Sequence, residues 1–301
     1  MQIITHSVCP ICFSKEIVYA LTANDHFFSK ENFEIWECRN CTGRFTQNIP
    51  ASSAIGKYYN STQYISHSDT QEGIINKLYH RVRTITLRQK QKLIEKINLT
   101  KKGKLLEIGA GTGLFANYMQ KAGWDVIALE PDEVARKKAE DLGIQVQNLS
   151  ELPDLQPEFF DVITLWHVLE HVHELHNYID QFKKILKPGG NLIIAVPNFI
   201  SADAKHYGTF WAAYDVPRHL YHFNPDAMKL LMHTHGFEVI KTYPQWFDSF
   251  YVSLLSEKYK SGKASLIKGG FSGLLSNLKA SGNRNKCSSL IYQIQNQKSK
   301  I

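Results

Sequence analysis

No apolar run in the 301 residues reaches the roughly 18–20 needed to span a bilayer, which excludes a helical membrane-spanning protein. The first residues, Met1-Gln2-Ile3-Ile4-Thr5-His6, lack a basic leader and a long apolar core. We therefore expect no signal peptide and a cytoplasmic setting. There is no internal repeat and no low-complexity tract. Acidic residues almost vanish after Ser256: nine Lys/Arg follow (258, 260, 263, 268, 279, 284, 286, 298 and 300) against Glu257 alone. That stretch carries +8 of a chain total of +7, so everything before it is close to neutral. Such a basic segment attracts phosphate-bearing substrates, nucleic acid or anionic lipid, or it simply forms a solvated surface. Cysteine is scarce too, five in all, and four of them fall into Cys9-x-x-Cys12 and Cys38-x-x-Cys41. What remains, 43% hydrophobic with 12% aromatics, suits a soluble enzyme with one full-sized α/β domain and smaller attachments.

The two cysteine pairs stand 25 residues apart, the spacing of a four-thiolate tetrahedral zinc site. Reducing conditions disfavour disulfides, and a redox role needs only one pair. A region as small as 1–50 buries little core without a staple. We expect Cys9, Cys12, Cys38 and Cys41 to hold a structural zinc in a ribbon-like module over residues 1–50. Phe33–Glu37 alternates as a strand does. Residues 51–100 read as a Ser/Tyr/Gly-rich loop followed, from about Glu72 to Asn98, by one or two amphipathic helices.

Beyond Lys101-Lys102-Gly103 strands and helices alternate. Strands are expected at 104–108, 124–130, 144–148, 160–165, 191–196 and 237–242. Helices are expected at 114–122, 133–142, 175–186 and 225–235, several closed by glycine. This alternation predicts a doubly wound, mostly parallel α/β sheet of seven strands, Rossmann-like in architecture, over residues 101–301. Ser288–Ile294 fits an antiparallel last strand. Residues 244–286 then form an insertion above the ligand edge, a lid whose cations favour an anionic acceptor; a membrane-facing amphipathic surface is the rival reading.

The first strand runs into Gly109-Ala110-Gly111-Thr112-Gly113. Glycine there admits positive φ and keeps side chains out of a ligand's way, and ligands of open α/β sheets lie beyond the carboxyl ends of the strands. A dinucleotide fingerprint needs its third glycine one place later, where Leu114 stands. Glu107, inside the strand, would repel a pyrophosphate but face a cation. Glu130-Pro131, at the tip of the second strand, offers a carboxylate to two ribose hydroxyls.

In this order, "LLEIGAGTG", "VIALEPD", "FDVITLWHVLEHV" and "LKPGGNLIIAVPN" resemble the class I S-adenosylmethionine-dependent methyltransferases over about Lys104–Thr242. The resemblance implies that Glu107 and Gly109, Ala110, Gly111 and Gly113 cradle the methionine portion of S-adenosylmethionine. Glu130 and Pro131 would hold the ribose, and Trp166 and His167 would border the sulfonium. The acid common after the third strand is absent, and Asn148 or Ser150 takes its place beside the adenine.

On the acceptor side, His167, Glu170 and His171 share one face if a helix begins there, giving a general base, a metal site or a structural anchor. Ubiquinone-type O-methyltransferases and small-RNA terminal methyltransferases resemble this stretch, but with Glu where His167 stands. After the fifth strand, Tyr214–Pro225 brings His219 as the preferred base and His222 as the second, with Arg218 for a carboxylate or phosphate. Deoxysugar C-methyltransferases are similar in architecture: a zinc module, an aromatic–serine stretch (here Tyr58–His67) and a His-rich loop. By that likeness Tyr59 or Tyr64, with His67, reaches the substrate. The expected activity is methyl transfer to a small, anionic acceptor such as a sugar nucleotide; O-, N- and C-methylation are left open. The rivals are an RNA methyltransferase, disfavoured because aromatic and basic residues do not interleave on a strand platform, and a non-catalytic S-adenosylmethionine-binding protein.

Overall fold

The computed structural model describes residues 2–59, 74–98, 102–263 and 265–296. Tyr64 and His67, expected near the substrate, lie outside the described residues. Five strands open the chain: β1 (Ile3–Ile4), β2 (Ile17–Asn24), β3 (Asn32–Cys38), β4 (Arg44–Thr46) and β5 (Ile49–Pro50). A short helix α1 (Ser52–Ile55) and the long α2 (Ile74–Ile97) follow.

The central unit is β6 (Lys104–Ile108), α3 (Leu114–Lys121), β7 (Asp125–Leu129), α4 (Glu133–Asp141), β8 (Gln145–Gln147), β9 (Phe160–Trp166), α5 (Leu175–Ile185) and β10 (Leu186–Pro197). Then come α6 (Ala202–Tyr207), β11 (Tyr221–His222), α7 (Pro225–Thr234), β12 (Phe237–Pro244), helices α8 (Asp248–Ser261) and α9 (Leu266–Gly282), and β13 (Ser289–Asn296). The main sheet has seven strands in the order β12-β13-β10-β9-β6-β7-β8. All pairs from β10 to β8 are parallel, and β13 inserts antiparallel between β10 and β12. The Rossmann-like methyltransferase sheet read from the alternation is the one observed.

Parallel strands covered on both faces read as nearly continuous apolar runs. Leu105 and Leu106 divide the two faces between them. Leu105 packs with Phe115 and Met119 of α3 and Ile94 of α2. Leu106 joins Ile179 and Phe182 of α5 and Met228 and Leu231 of α7. The connections leave β6 in one direction and β9 in the other, so a crevice opens above their carboxyl ends, where open α/β sheets bind ligands.

The cysteine module does not stand apart. Cys9, Ile11, Phe45 and Ile49 share a core with Leu106 and Phe182, and β11 adds to the edge of the module's sheet in the order β11-β4-β3-β2. Helices α8 and α9 stand between the antiparallel strands β12 and β13, within the span 244–286. The local structure after β9 differs from expectation. His167 has φ +58°, and only a single 3-10 turn, Leu169–His171, follows. No described helix is long and apolar enough to cross a membrane.

Candidate active site

The glycine turn is stereochemically committed. Gly109 and Gly113 have φ +68° and +74°. A Cβ on Gly109 would come within 2.5 Å of Val168 Cγ2, and one on Gly113 within 2.6 Å of Ala139 Cβ. The Ala110 amide donates to the Leu129 carbonyl at 3.2 Å, tying the turn to β7. Glu130, at the end of that strand, accepts from the Gly111 amide at 2.7 Å and from the Asp132 amide at 3.0 Å. Burial raises its pKa, against the pull of those amides. The next residue, Pro131, offers its carbonyl to Arg136 at 2.7 Å.

Glu107 is 3% exposed, and its Oε2 has no hydrogen-bond partner. Burial pushes its carboxyl up to about 8, partly offset by the Lys90 ammonium. Lys90, on α2, sits with Nζ 4.1 Å above the Trp166 ring, and Trp166 meets Phe115 edge-on at 5.3 Å. A buried carboxyl with an unpartnered oxygen, poised to ionise against an incoming cation, therefore meets an aromatic face and a lysine beyond the glycine turn. This set suits an amino acid zwitterion, with the carboxylate for its ammonium and the lysine for its carboxylate. Nothing in the sequence singles out Lys90 from the other cations of a helix rich in them. Asn148 caps the turn after β8, accepting from the Ser150 amide and hydroxyl, each at 3.0 Å.

A cleft of about 860 Å³ is lined by His167, His171, His219, Lys30, Lys258 and Tyr259, among others. Its walls come from the sheet edge, α8 and the β2–β3 hairpin. His219 has Nδ1 2.8 Å from the Ala213 carbonyl. A carbonyl only accepts, so Nδ1 carries a proton, and in the neutral ring the lone pair is on Nε2. Asp215 Oδ2 stands 3.9 Å from that Nε2. His171 makes the same kind of contact, Nδ1 to the Arg218 carbonyl at 3.0 Å, with the Tyr59 hydroxyl also at 3.0 Å. Burial and the neighbouring His219 hold it neutral, its pKa near 4.

His167 is a different group from the base the sequence suggests. Its Nε2 lies 3.0 Å from Asp248 and its Nδ1 3.4 Å from Glu170. Burial opposes the charge, but the two carboxylates raise the pKa to about 10. It is an imidazolium at neutral pH and has no lone pair to give. Asp248, the first residue of α8, is legible in the sequence only as part of an amphipathic run. His222 is buried in β11, with Nε2 3.1 Å from the Thr46 hydroxyl. It is not among the residues around the cleft, and burial drives its pKa well below the ordinary value. Its neutral ring is packed as structure, not aimed at an acceptor. Arg218 is likewise spoken for: it pairs with Asp215 at 2.6 Å and Asp25 at 3.1 Å and donates to the Tyr58 carbonyl at 3.1 Å.

Two clusters have metal-ligand geometry. In the first, Cys9 and Cys41 have their sulfurs 3.7 Å apart, and Cys12 and Cys38 3.6 Å apart. A tetrahedron with metal–sulfur bonds of 2.3 Å has an edge of about 3.8 Å, so the thiols are spaced for an ion and not for disulfides. The two knuckles are alike. Phe13 and Thr42 have φ +60° and +59°, and each donates its amide to the carbonyl of the cysteine four residues before, at 2.9 Å. The second cluster is not the expected His167, Glu170 and His171. His167 turns to Asp248, and the fold instead gathers Glu170, His171 and His219 with ligand atoms within 4.8 Å of one another. Both Glu170 oxygens are buried without a hydrogen bond of ordinary geometry.

Comparison with known proteins agrees with this geometry. The model of the "Methyltransferase domain" family matches residues 78–242. A ubiquinone biosynthesis O-methyltransferase of Pectobacterium carotovorum is 33% identical over 103 residues, 32% of this chain and 43% of that protein. A probable S-adenosylmethionine-dependent methyltransferase of Mycolicibacterium smegmatis is 30% identical over 145 residues, 46% of this chain and 53% of that one. The chain thus spans about half the length of the curated relatives it matches. Among solved structures, phosphoethanolamine N-methyltransferase 2 of Haemonchus contortus superposes with a TM-score of 0.52 at 13% identity. It covers 84% of this chain and 62% of that one, a likeness of fold.

Proposed function

The chain belongs to the methyltransferase domain family, and on that premise we propose that it moves a methyl group from S-adenosylmethionine to a small, anionic acceptor held in the cleft. Glu107 and Lys90 take the ammonium and carboxylate of the methionyl group. The amides of the Gly109–Gly113 turn approach the cofactor closely, and Glu130 accepts from the ribose hydroxyls. Trp166 borders the sulfonium, and Asn148 the adenine. Lys30 and Lys258, which line the cleft, supply the positive field for the acceptor, a role a sugar phosphate or nucleotide-linked sugar would satisfy.

The observation that carries the reading is the tautomer of His219. With Nδ1 pinned to a carbonyl, the neutral ring of this cleft-lining residue has its lone pair on Nε2, where a base needs it. The acceptor atom attacks the methyl carbon in line and the C–S electron pair stays on sulfur. The acceptor's proton passes to Nε2, and Asp215 steadies the imidazolium that results. His167, already charged, serves instead to tie α8 down over the site through Asp248.

The test is methyl transfer from labelled S-adenosylmethionine to fractionated cell metabolites, RNA and lipids. Label in anionic small molecules, abolished by His219→Gln, supports the reading. Label in RNA alone supports the nucleic-acid rival, and cofactor binding without transfer to any fraction supports a non-catalytic role.

A second reading rests on Glu170, His171 and His219. Two imidazoles whose other nitrogens are held by backbone carbonyls, beside a buried carboxylate whose one ion-pair partner among the described residues, His167, stands off at 3.4 Å, match the donor set of a divalent cation. Such an ion would polarise an acceptor hydroxyl. It predicts metal in excess of the cysteine site, lost from Glu170→Gln while the cysteine-bound ion stays. For the cysteine site we propose structural zinc.

A further inference from the structure

The insertion exposes what a closed fold would bury. On α9 the small residues Gly269, Gly273, Ser276 and Ala280 face inward. A Cβ on Gly269 would meet Leu254 Cα at 2.8 Å, and one on Gly273 would meet Phe250 Cα at 2.9 Å. Ser276 donates to Asp203 at 2.7 Å. This close helix contact turns the large residues outward. Ile267, Phe271, Leu274 and Leu278 recur at helical spacing on one face and are 85%, 61%, 47% and 59% exposed. Scattered exposed leucines are ordinary; a continuous stripe of this kind marks an interaction surface.

The charges around the stripe choose the partner. Every Lys and Arg from Lys258 to Lys286 is solvent-exposed. The two acids of the insertion are turned inward, Asp248 onto His167 at 3.0 Å and Glu257 onto the Tyr207 hydroxyl at 3.1 Å. An apolar stripe flanked by cations, Lys268 and Lys279 on the same helix, with no exposed acid in the insertion does not complement itself. A two-fold contact between copies would set like charges together. It does complement a surface that is apolar inside and anionic outside. We propose that α9 lies in the interface of an anionic bilayer, with Ile267, Phe271, Leu274 and Leu278 at the headgroup–acyl boundary and the flanking lysines on lipid phosphates. α8, packed on α9, carries Tyr251 and Lys258 at the cleft, so docking sets the cleft beside the lipid surface. The proposal rests on this exposed face and is independent of the methyl-transfer reading.

The test is flotation of the full chain with vesicles of phosphatidylcholine, with and without phosphatidylglycerol. Flotation is expected only with phosphatidylglycerol, and release at about 1 M salt, where the screening length falls to ~3 Å. Ile267→Glu with Phe271→Glu should reduce the bound fraction by about tenfold or more. Lys263→Gln, Lys268→Gln and Lys279→Gln should each cost about fivefold. All five side chains point to solvent, so thermal midpoint and S-adenosylmethionine affinity should stay at wild-type values. Absence of flotation, or flotation that neither variant set weakens, overturns the proposal. So does a wild-type dimer in solution that Ile267→Glu with Phe271→Glu dissolves, which would make the stripe a contact between copies.

Discussion

The hydroxyl of Thr46 donates to the carbonyl of His219 at 2.7 Å. One residue further on, the Thr46 amide donates to the Leu220 carbonyl at 2.9 Å, and Phe45 and Arg44 pair with Tyr221 and His222. The cysteine-bearing module thus supplies the strand against which the loop of the candidate base is laid. An ion held by the four cysteines would act on the site only by shaping that strand, away from the His219 side chain.

Loss of the cysteine-bound ion should therefore disable methyl transfer through position. Cys38→Ser is expected to lose zinc by elemental analysis and to lower the thermal midpoint by several degrees or more. Thr46→Val is the finer probe. It keeps the zinc and costs about 1 kcal/mol of stability, and it should lower turnover while leaving the calorimetric affinity for S-adenosylmethionine unchanged.

For the base, His219→Gln should reduce turnover by about 10²–10⁴-fold with cofactor affinity preserved. His222→Gln should act mainly on stability, read in the thermal midpoint, because its ring is packed in β11 at 4% exposure. Equal losses of turnover in the two variants would remove His219 from the mechanism.

Cofactor binding should depend on two residues from separate elements. Glu130→Gln is expected to weaken S-adenosylmethionine binding by about 10–100-fold, the range for a lost hydrogen bond to a carboxylate. Lys90→Met should weaken it by a similar factor although α2 lies outside the glycine turn. Isothermal titration of both variants checks this, and an unchanged constant for Lys90→Met would detach α2 from the cofactor.

The pH dependence of the His167–Asp248 pair has a definite sign. The folded pKa of His167, about 10, lies above the unfolded value of about 6.5. Its contribution to stability is complete below about pH 6.5 and fades as pH rises through about 10. The gap in thermal midpoint between wild type and Asp248→Asn should therefore be widest near pH 6.5 and narrow as the solution becomes more alkaline. In Asp248→Asn, the imidazole titration followed by NMR should move to lower pH. Titration near the unperturbed value in the wild type would contradict the ion pair.

Much of the candidate donor site is legible in the chain because it is local. The Gly109–Gly113 turn, Glu107 before it and Glu130 one strand later are joined by short connections and by backbone conformations that few residues can adopt. The alternation of strands and helices likewise follows from short-range periodicity, so the seven-stranded sheet is legible in the sequence. The two Cys-x-x-Cys pairs were readable too, since each knuckle is a turn of a few residues. The strand patterns at 237–242 and 288–294 bracketed the helices between them, and charge marked the stretch after Ser256 as basic.

The acceptor side depends on distances between remote residues, and those only the tertiary structure decides. His167 looks like a base in sequence, and it becomes an imidazolium because Asp248 arrives from a helix 81 positions later. Arg218 reads as an anion receptor until Asp25, from the cysteine module, occupies its guanidinium. His219 and His222 look equivalent, and a hydrogen bond to Ala213 and a strand pairing with Arg44 set them apart. Lys90 has no local signature at all. Electrostatics and burial depend on what packs nearby, and packing joins residues that the chain keeps far apart. The sequence by itself determined the scaffold and the donor end, and the fold decided which polar groups remain free to act.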